Sequence, residues 1–139
     1  MSKTAREIMT GQVECIGENE SVATAAQKMA RMHLGSLPIC GEDDRLKGML
    51  TDRDIVVKVL AQGKDPSQTK ASELAQGKAV TIGADDPAEE ALRTMSEHKV
   101  RRLPVIDGHE LVGLISQGDL AIALIGGEQV GERLEAIPA

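Results

Sequence analysis

Apolar residues at Val22, Ala25, Ala26, Met29 and Met32 recur at the three- and four-residue spacing of one helix face. Ala88, Ala91, Leu92 and Met95 repeat that stripe 66 positions later. Each helix is followed by two short apolar runs that read as strands, LPIC and GMLT in one case, LPVI and VGLIS in the other. The polar stretch GEDDR joins the first pair, and the tight Asp107-Gly108 turn joins the second. Before each helix a short strand is predicted over residues 13–16 and 79–82, ended by a glycine. After each strand pair a last helix is predicted, from about Asp54 or Asp119 to near Gly63 or Gly126, glycine being suited to a helix C-terminus.

Local signals set the helix starts. Thr4-Ala-Arg-Glu7 is a capping-box pattern, in which Thr and Glu satisfy each other's free N–H groups, and KASEL is its weaker counterpart. Asp86-Pro87-Ala88-Glu89 predicts Asp86 as the cap and Pro87 as the first helical residue. The unit is therefore β-α-β-β-α, and it occurs twice. The 66-position shift superposes Glu7 on Glu73, Gly11 on Gly77, Ile16-Gly17 on Ile82-Gly83 and Leu37-Pro38 on Leu103-Pro104. A one-residue deletion in the turn then superposes Gly48 on Gly113 and Asp54 on Asp119. A repeated unit of this size does not bury its apolar face alone, so the two copies are expected to stack and leave clefts. The expected division is a first motif over 1–66 with the helical turn, a second over 67–126, a linker at 62–69 and a short cap or frayed helix at 127–139.

Composition narrows the function. The 139 residues contain no Phe, Tyr or Trp, so the core is aliphatic and any bound base lacks an aromatic to stack on. Net charge is −6, with nine basic and ten acidic residues through Pro66 and seven and twelve beyond it. An acidic chain without aromatics lacks both the phosphate-neutralising and the stacking contributions to nucleic-acid binding. No apolar run approaches the roughly 20 residues that span a bilayer. The opening MSKTAREIMT has no apolar signal segment, so a cytoplasmic protein is expected.

The repeated order of helix, strand, helix, Leu-Pro strand, Gly-containing strand and Thr/Ser-x-x-Asp helix resembles the CBS domain, here in tandem over roughly residues 4–125. The stretch LPICGEDDRLKGMLTDRDIVVK is similar to that of stand-alone CBS-pair proteins. The resemblance implies an α+β (α/β-like) fold, two β-α-β-β-α motifs packed as a pseudo-twofold pair. It also implies a non-catalytic regulatory module that takes AMP, ATP, NAD, S-adenosylmethionine or a similar adenosine-containing ligand in its clefts. No obligatory cofactor is implied. A homodimer formed through the helices is expected, with a separate protein effector. The last helices, with Ile55, Val56, Val59 and Leu60 in one and Leu120, Ile122, Ala123, Leu124 and Ile125 in the other, are apolar enough to form that interface.

Carried over residue by residue, the resemblance gives Asp54 and Asp119 a ribose role and Thr51 and Ser116 a phosphate or ribose role. The chemistry is consistent: a helix start offers N–H groups to phosphate, and a carboxylate accepts both ribose hydroxyls. The same Thr/Ser-x-x-Asp pattern is also an ordinary helix cap. Arg102, with Arg101 before it, suits phosphate, an Arg fork matching its geometry. The first copy has Gly35-Ser36 there, with Arg53 and Lys58 as partial compensation, so unequal sites are expected and the Asp119/Arg102 site is the better one. Ile16, Leu37, Pro38, Val80, Leu103 and Pro104 are expected to supply aliphatic and backbone contacts to a base.

Cys15 and Cys40 both lie in the first copy, with Thr81 and Ile106 as counterparts. Two thiols without a leader read by default as small buried hydrophobes. A disulfide between them is the alternative: it would close a loop of about 25 residues, worth roughly 3 kcal/mol, and could act as a redox pair. Zinc is a further alternative, with His33 as another ligand type, although the spacing matches no closed four-ligand pattern. His33, His98 and His109 fall on helix ends or in a turn, and no nucleophile–base set is recognisable, so no enzyme is predicted. The competing reading is a stress-associated interaction protein without nucleotide, responsive to redox state or zinc.

Overall fold

The computed structural model describes residues 3–11, 13–75 and 79–124. In chain order the elements are α1 (Ala5–Ile8), β1 (Ile16–Gly17), α2 (Val22–Met32), β2 (Ser36–Cys40), β3 (Leu46–Thr51) and α3 (Asp52–Asp54), which runs on as a π-helix over Ile55–Leu60. A 3-10 turn at Ala71–Leu74 follows, then β4 (Ile82–Gly83), α4 (Ala88–His98), β5 (Arg102–Asp107), β6 (Glu110–Ser116) and α5 (Gln117–Ala123). The tail at 127–139 and Ile125 lie outside the described residues.

Two units result, Glu14–Ala79 and Met1–Val13 with Val80–Ala139. Each holds one three-stranded sheet, ordered β1-β2-β3 or β4-β5-β6, with the first pair parallel and the second antiparallel. The same register recurs: Ile16 pairs with Ile39 as Ile82 pairs with Val105, and a bulge falls at Ile39/Cys40 as at Val105/Ile106. In the first unit α2 lays Val22, Ala25 and Met29 on Ile16, Leu37, Ile39 and Leu50. In the second, α4 lays Ala88, Ala91, Leu92 and Met95 on Ile82, Leu103, Val105 and Ile115. Aliphatic side chains and methionine thus fill both cores.

The opening turns of the repeats are exchanged. Turn α1, which opens the first copy in sequence, is built into the second unit, and its counterpart at Ala71–Leu74 is built into the first. Ala5 and Ala71 are each fully buried there. The exchanged segments complete the helix starts: Lys3 O accepts from Ala88 N at 2.8 Å, and Thr69 O accepts from Val22 N at 2.8 Å. Glycine makes room for them. Thr10 pairs with Leu114 beside Gly113, where a Cβ would stand 2.8 Å from Thr10 O, and at Gly48 a Cβ would meet that of Ala75 at 3.0 Å. The linker expected at 62–69 is accordingly tied down, with Pro66 O accepting from Ala23 N at 3.0 Å.

Three local expectations need correction. Helix α4 begins one residue later than its sequence suggests: Pro87, at ψ 153°, is the cap and the first helical residue is Ala88. Asp86 turns back instead, its Oδ2 accepting from Gly83 N at 2.9 Å. The first strands contain two residues each, because their partners β2 and β5 offer a parallel edge only at Ile39-Cys40 and Val105-Ile106. The last helix of the first copy is wound as a π-helix, with Ala61 N donating to Val56 O at 2.8 Å.

Candidate functional site

In the second unit, antiparallel pairing places Arg102 directly opposite Ser116 at the point where β6 passes into α5. Opposed residues in such a pair point to the same face of the sheet. Ser116 caps α5: its Oγ accepts from Asp119 N at 3.1 Å while Asp119 Oδ2 accepts from Ser116 N at 2.9 Å. The capping reading of Ser-x-x-Asp is therefore realised, and it uses one of the two carboxylate oxygens. Among the described residues no donor reaches Asp119 Oδ1, and neither Arg101 nor Arg102 has an ion-pair partner. The Arg101 carbonyl accepts from Gln117 N at 3.0 Å, which ties the arginine pair to the helix start. Strand pairing and capping together gather one half-buried arginine, one hydroxyl and one carboxylate.

The first unit repeats the geometry with other side chains. Ser36 lies opposite Thr51, and Thr51 and Asp54 form the capping box at 3.0 Å in both directions. Here the second carboxylate oxygen is taken, because Lys58 Nζ lies 3.0 Å from Asp54 Oδ1. The i,i+4 spacing of Asp54 and Lys58 was the sequence signal for that pair. Ser36 Oγ is buried, and among the described residues it has no hydrogen-bond partner. Nothing in the sequence marked that hydroxyl, since serine most often finds a partner or solvent. Arg53 lies on the exposed side of the turn, its N–H donating to Asp52 Oδ1 at 2.8 Å.

The aliphatic candidates fall within the cores. Ile16, Leu37 and Leu103 are fully buried among their own unit's side chains, Pro38 and Pro104 are buried in the strands, and Val80 is half-buried against the second core.

Cys15 and Cys40 are joined as a disulfide with their Cα atoms 5.8 Å apart, which corrects the expectation of free thiols. The cause is the parallel pairing of Ile16-Gly17 with Ile39-Cys40, which brings the two cysteines within bridging distance. Glu18 N donates to Cys40 O at 2.9 Å, and Lys28 Nζ donates to Cys15 O at 3.0 Å. Cys40 lines an open cavity of about 300 Å³ together with Glu18, Glu20 and Glu42. Among the described residues no three His, Cys, Asp or Glu side chains are grouped to hold a metal ion, and no helix is long and apolar enough to cross a membrane.

Comparison with known proteins gives the lineage. The profile of the CBS domain matches residues 5–61 and 71–126. Hypoxic response protein 1 of Mycobacterium tuberculosis is 52% identical over 118 residues, covering 85% of this chain and 82% of that protein. The crystal structure of Hypoxic Response Protein I with two coordinated zinc ions superposes with a TM-score of 0.83 at 51% identity, covering 88% of this chain and 99% of that one. The CBS domain-containing protein YhcV of Bacillus subtilis is 37% identical over 134 residues, 96% of this chain and 94% of its own. CBSX2, crystallised in complex with AMP, shares the fold with a TM-score of 0.76 at 22% identity, over 86% of this chain and 94% of that one.

Proposed function

The chain belongs to the CBS-domain family as a tandem pair, and from that premise we propose that it is a non-catalytic regulatory module answering to an adenosine-containing ligand. The observation that carries this reading is the set Arg102, Ser116 and Asp119: a guanidinium without an ion-pair partner among the described residues, opposite a hydroxyl, and a carboxylate with one oxygen that no described donor reaches. A carboxylate oxygen of this kind accepts from ribose hydroxyls, and a guanidinium fork holds phosphate. Exposed Arg101, next to Arg102 in the chain, adds positive charge, and Thr51 and Asp54 offer the weaker counterpart. The ligand is a regulatory signal passed to a protein effector through pairing of two copies; Val56 and Leu60, each 55% exposed, and Ile122, 73% exposed, supply apolar surface for that pairing.

Thermal unfolding followed by circular dichroism tests it, since a chain without Trp or Tyr has no useful intrinsic fluorescence. A ligand at about a hundred times its dissociation constant stabilises by roughly 2.7 kcal/mol. AMP, ADP, ATP, NAD and S-adenosylmethionine are compared. A rise with one of them that Arg102→Ala abolishes supports the reading; no rise with any of them sinks it.

A second reading has its own observation, the Cys15–Cys40 bridge. The second unit forms the same strand pair with Thr81 and Ile106 at those positions, so the architecture does not require a crosslink. A disulfide in a cytoplasmic protein is most often a redox element. On this reading the module responds to the thiol balance of the cell. A zinc ion, such as the crystal structure of Hypoxic Response Protein I holds, would then need ligands other than this pair in this chain, because a bridged cysteine offers no thiolate.

A further inference from the structure

We infer that the Cys15–Cys40 bridge is a reducible site whose acidic surround selects its electron donor, admitting cationic and neutral thiols and turning anionic ones away. The inference rests on the redox reading and extends it to the class of reductant. Access comes from the cavity that Cys40, 9% exposed, lines, with Cys15 half-buried beside it. Gly41, next in the chain, leaves room that a side chain would fill: a Cβ there would stand 2.7 Å from Asp43 Oδ1 and run into Glu18 and Lys47.

The charged residues that line the cavity are all acidic, although Lys47 reaches the same side of Gly41 as Glu18. The acidic residues are Glu18, Glu20 and Glu42, and Asp43 and Asp44 follow in the turn. Cations answer only part of this. Lys47 and Arg45 lie 3.2 and 4.0 Å from Asp43, Lys28 lies 3.8 Å from Glu20, and Arg31 lies 3.6 Å from Glu14. Among the described residues Glu18 and Glu42 have no ion-pair partner; Glu42 takes only a long hydrogen bond of 3.5 Å from Asn19 Nδ2. An incoming thiolate carries its own negative charge into this field, and a carboxylate on the same molecule adds a second.

The chemistry balances with a thiol as donor. A thiolate attacks Cys40 Sγ, the bridge breaks, and Cys15 leaves with the electron pair as a thiolate that solvent protonates. A second thiol then attacks the mixed disulfide and releases Cys40, so two donor thiols are oxidised to one disulfide while two cysteines gain two electrons and two protons. Lys28, held at the Cys15 carbonyl, places a cation at the residue where the leaving charge develops. Lys28 is a positioning residue for that step.

The test compares three monothiols on the folded protein: cysteamine (cationic), 2-mercaptoethanol (neutral) and 3-mercaptopropionate (anionic). Each rate is corrected for thiolate fraction and divided by that thiol's rate on a small uncharged disulfide; mixed disulfide is read by mass. At low salt the normalised rate for cysteamine exceeds that for mercaptopropionate by roughly three- to tenfold, and the ratio falls toward one at high salt. Glu18→Gln with Glu42→Gln collapses the ratio at low salt, and Lys28→Met slows all three thiols alike. Equal normalised rates in the unchanged protein overturn the inference, as does a preference that survives the double substitution. A bridge that resists even dithiothreitol while circular dichroism reports a folded protein overturns the redox reading itself.

Discussion

Lys58 Nζ stands 3.0 Å from Asp54 Oδ1, whereas the residue four beyond Asp119 is Ala123. Asp54 thus has both oxygens committed, one to the cap and one to Lys58, whereas among the described residues Asp119 is held through Oδ2 alone. If the proposed nucleotide binds, a ribose approaching Asp54 must displace the ammonium, whereas no described residue competes for Asp119 Oδ1. Calorimetric titration with the nucleotide that stabilises the protein should therefore show one stronger binding event per chain, removed by Asp119→Ala. Lys58→Ala should tighten the weaker event by roughly threefold, the scale of a partly exposed ion pair. Two equal events in the unchanged protein would contradict this.

The disulfide adds stability without defining the fold. Closing a loop of 25 residues is worth about 3 kcal/mol in the chain-entropy model. Cys15→Ser with Cys40→Ser should therefore lower the denaturation midpoint while leaving the far-ultraviolet spectrum unchanged. A lost spectrum would show that β1, unlike β4, cannot pair without its crosslink.

Much of this was legible in the chain. The shift that superposes Ile16-Gly17 on Ile82-Gly83 identified two equivalent sheets, and the helical stripes from Val22 and Ala88 identified the faces that cover them. The Thr/Ser-x-x-Asp boxes were legible because capping is local chemistry within four residues. The exchange of α1 and Ala71–Leu74 was not, since a short turn with one buried alanine carries no mark of the sheet it will join. Asp86 misled because two donors compete for its carboxylate, and Gly83 N won once Lys3 O had satisfied Ala88. That Ser36 Oγ has no partner among the described residues depends on tertiary packing alone.

Both amphipathic helices end on a residue in the left-handed region, His33 at φ 55° and Lys99 at φ 55°. Glycine adopts that conformation without the Cβ clash that other residues bear. His33→Gly and Lys99→Gly should each stabilise the protein by about 1 kcal/mol, a rise of roughly 3–5 °C in Tm. A fall in either variant would mean that the side chain makes a contact outweighing the strain.

Acid should weaken the fold through three surface carboxylates. Glu7 sits below its usual range because the Thr4 backbone N–H and hydroxyl bind it, Asp43 because the Arg45 N–H does, and Asp65 because the Ser67 hydroxyl and N–H do. A depressed folded value means that the unfolded chain takes up the proton first. Their contribution is therefore complete above the ordinary carboxylate range and is lost as the pH falls through the folded values, between about pH 5 and pH 2. Tm measured across that window should fall, and Glu7→Gln should flatten part of the slope while lowering Tm near neutrality. A Tm that rises on acidification would contradict the assignment.

The π-helix at Ile55–Leu60 divides its apolar residues between two tasks. Ile55 and Val59 are buried in the core of the first unit, while Val56 and Leu60 remain 55% exposed and Val57 42% exposed. Large apolar side chains grouped in this way on one helix mark an interaction surface more often than a solvated one. If they join two copies of the chain, Val56→Asp with Leu60→Asp should halve the mass found by light scattering, with refractive index as the concentration signal because aromatic absorbance is lacking. The core residues Ile55 and Val59 are untouched, so circular dichroism should not change. A variant that keeps the mass of the parent would show that pairing, where it occurs, uses another face.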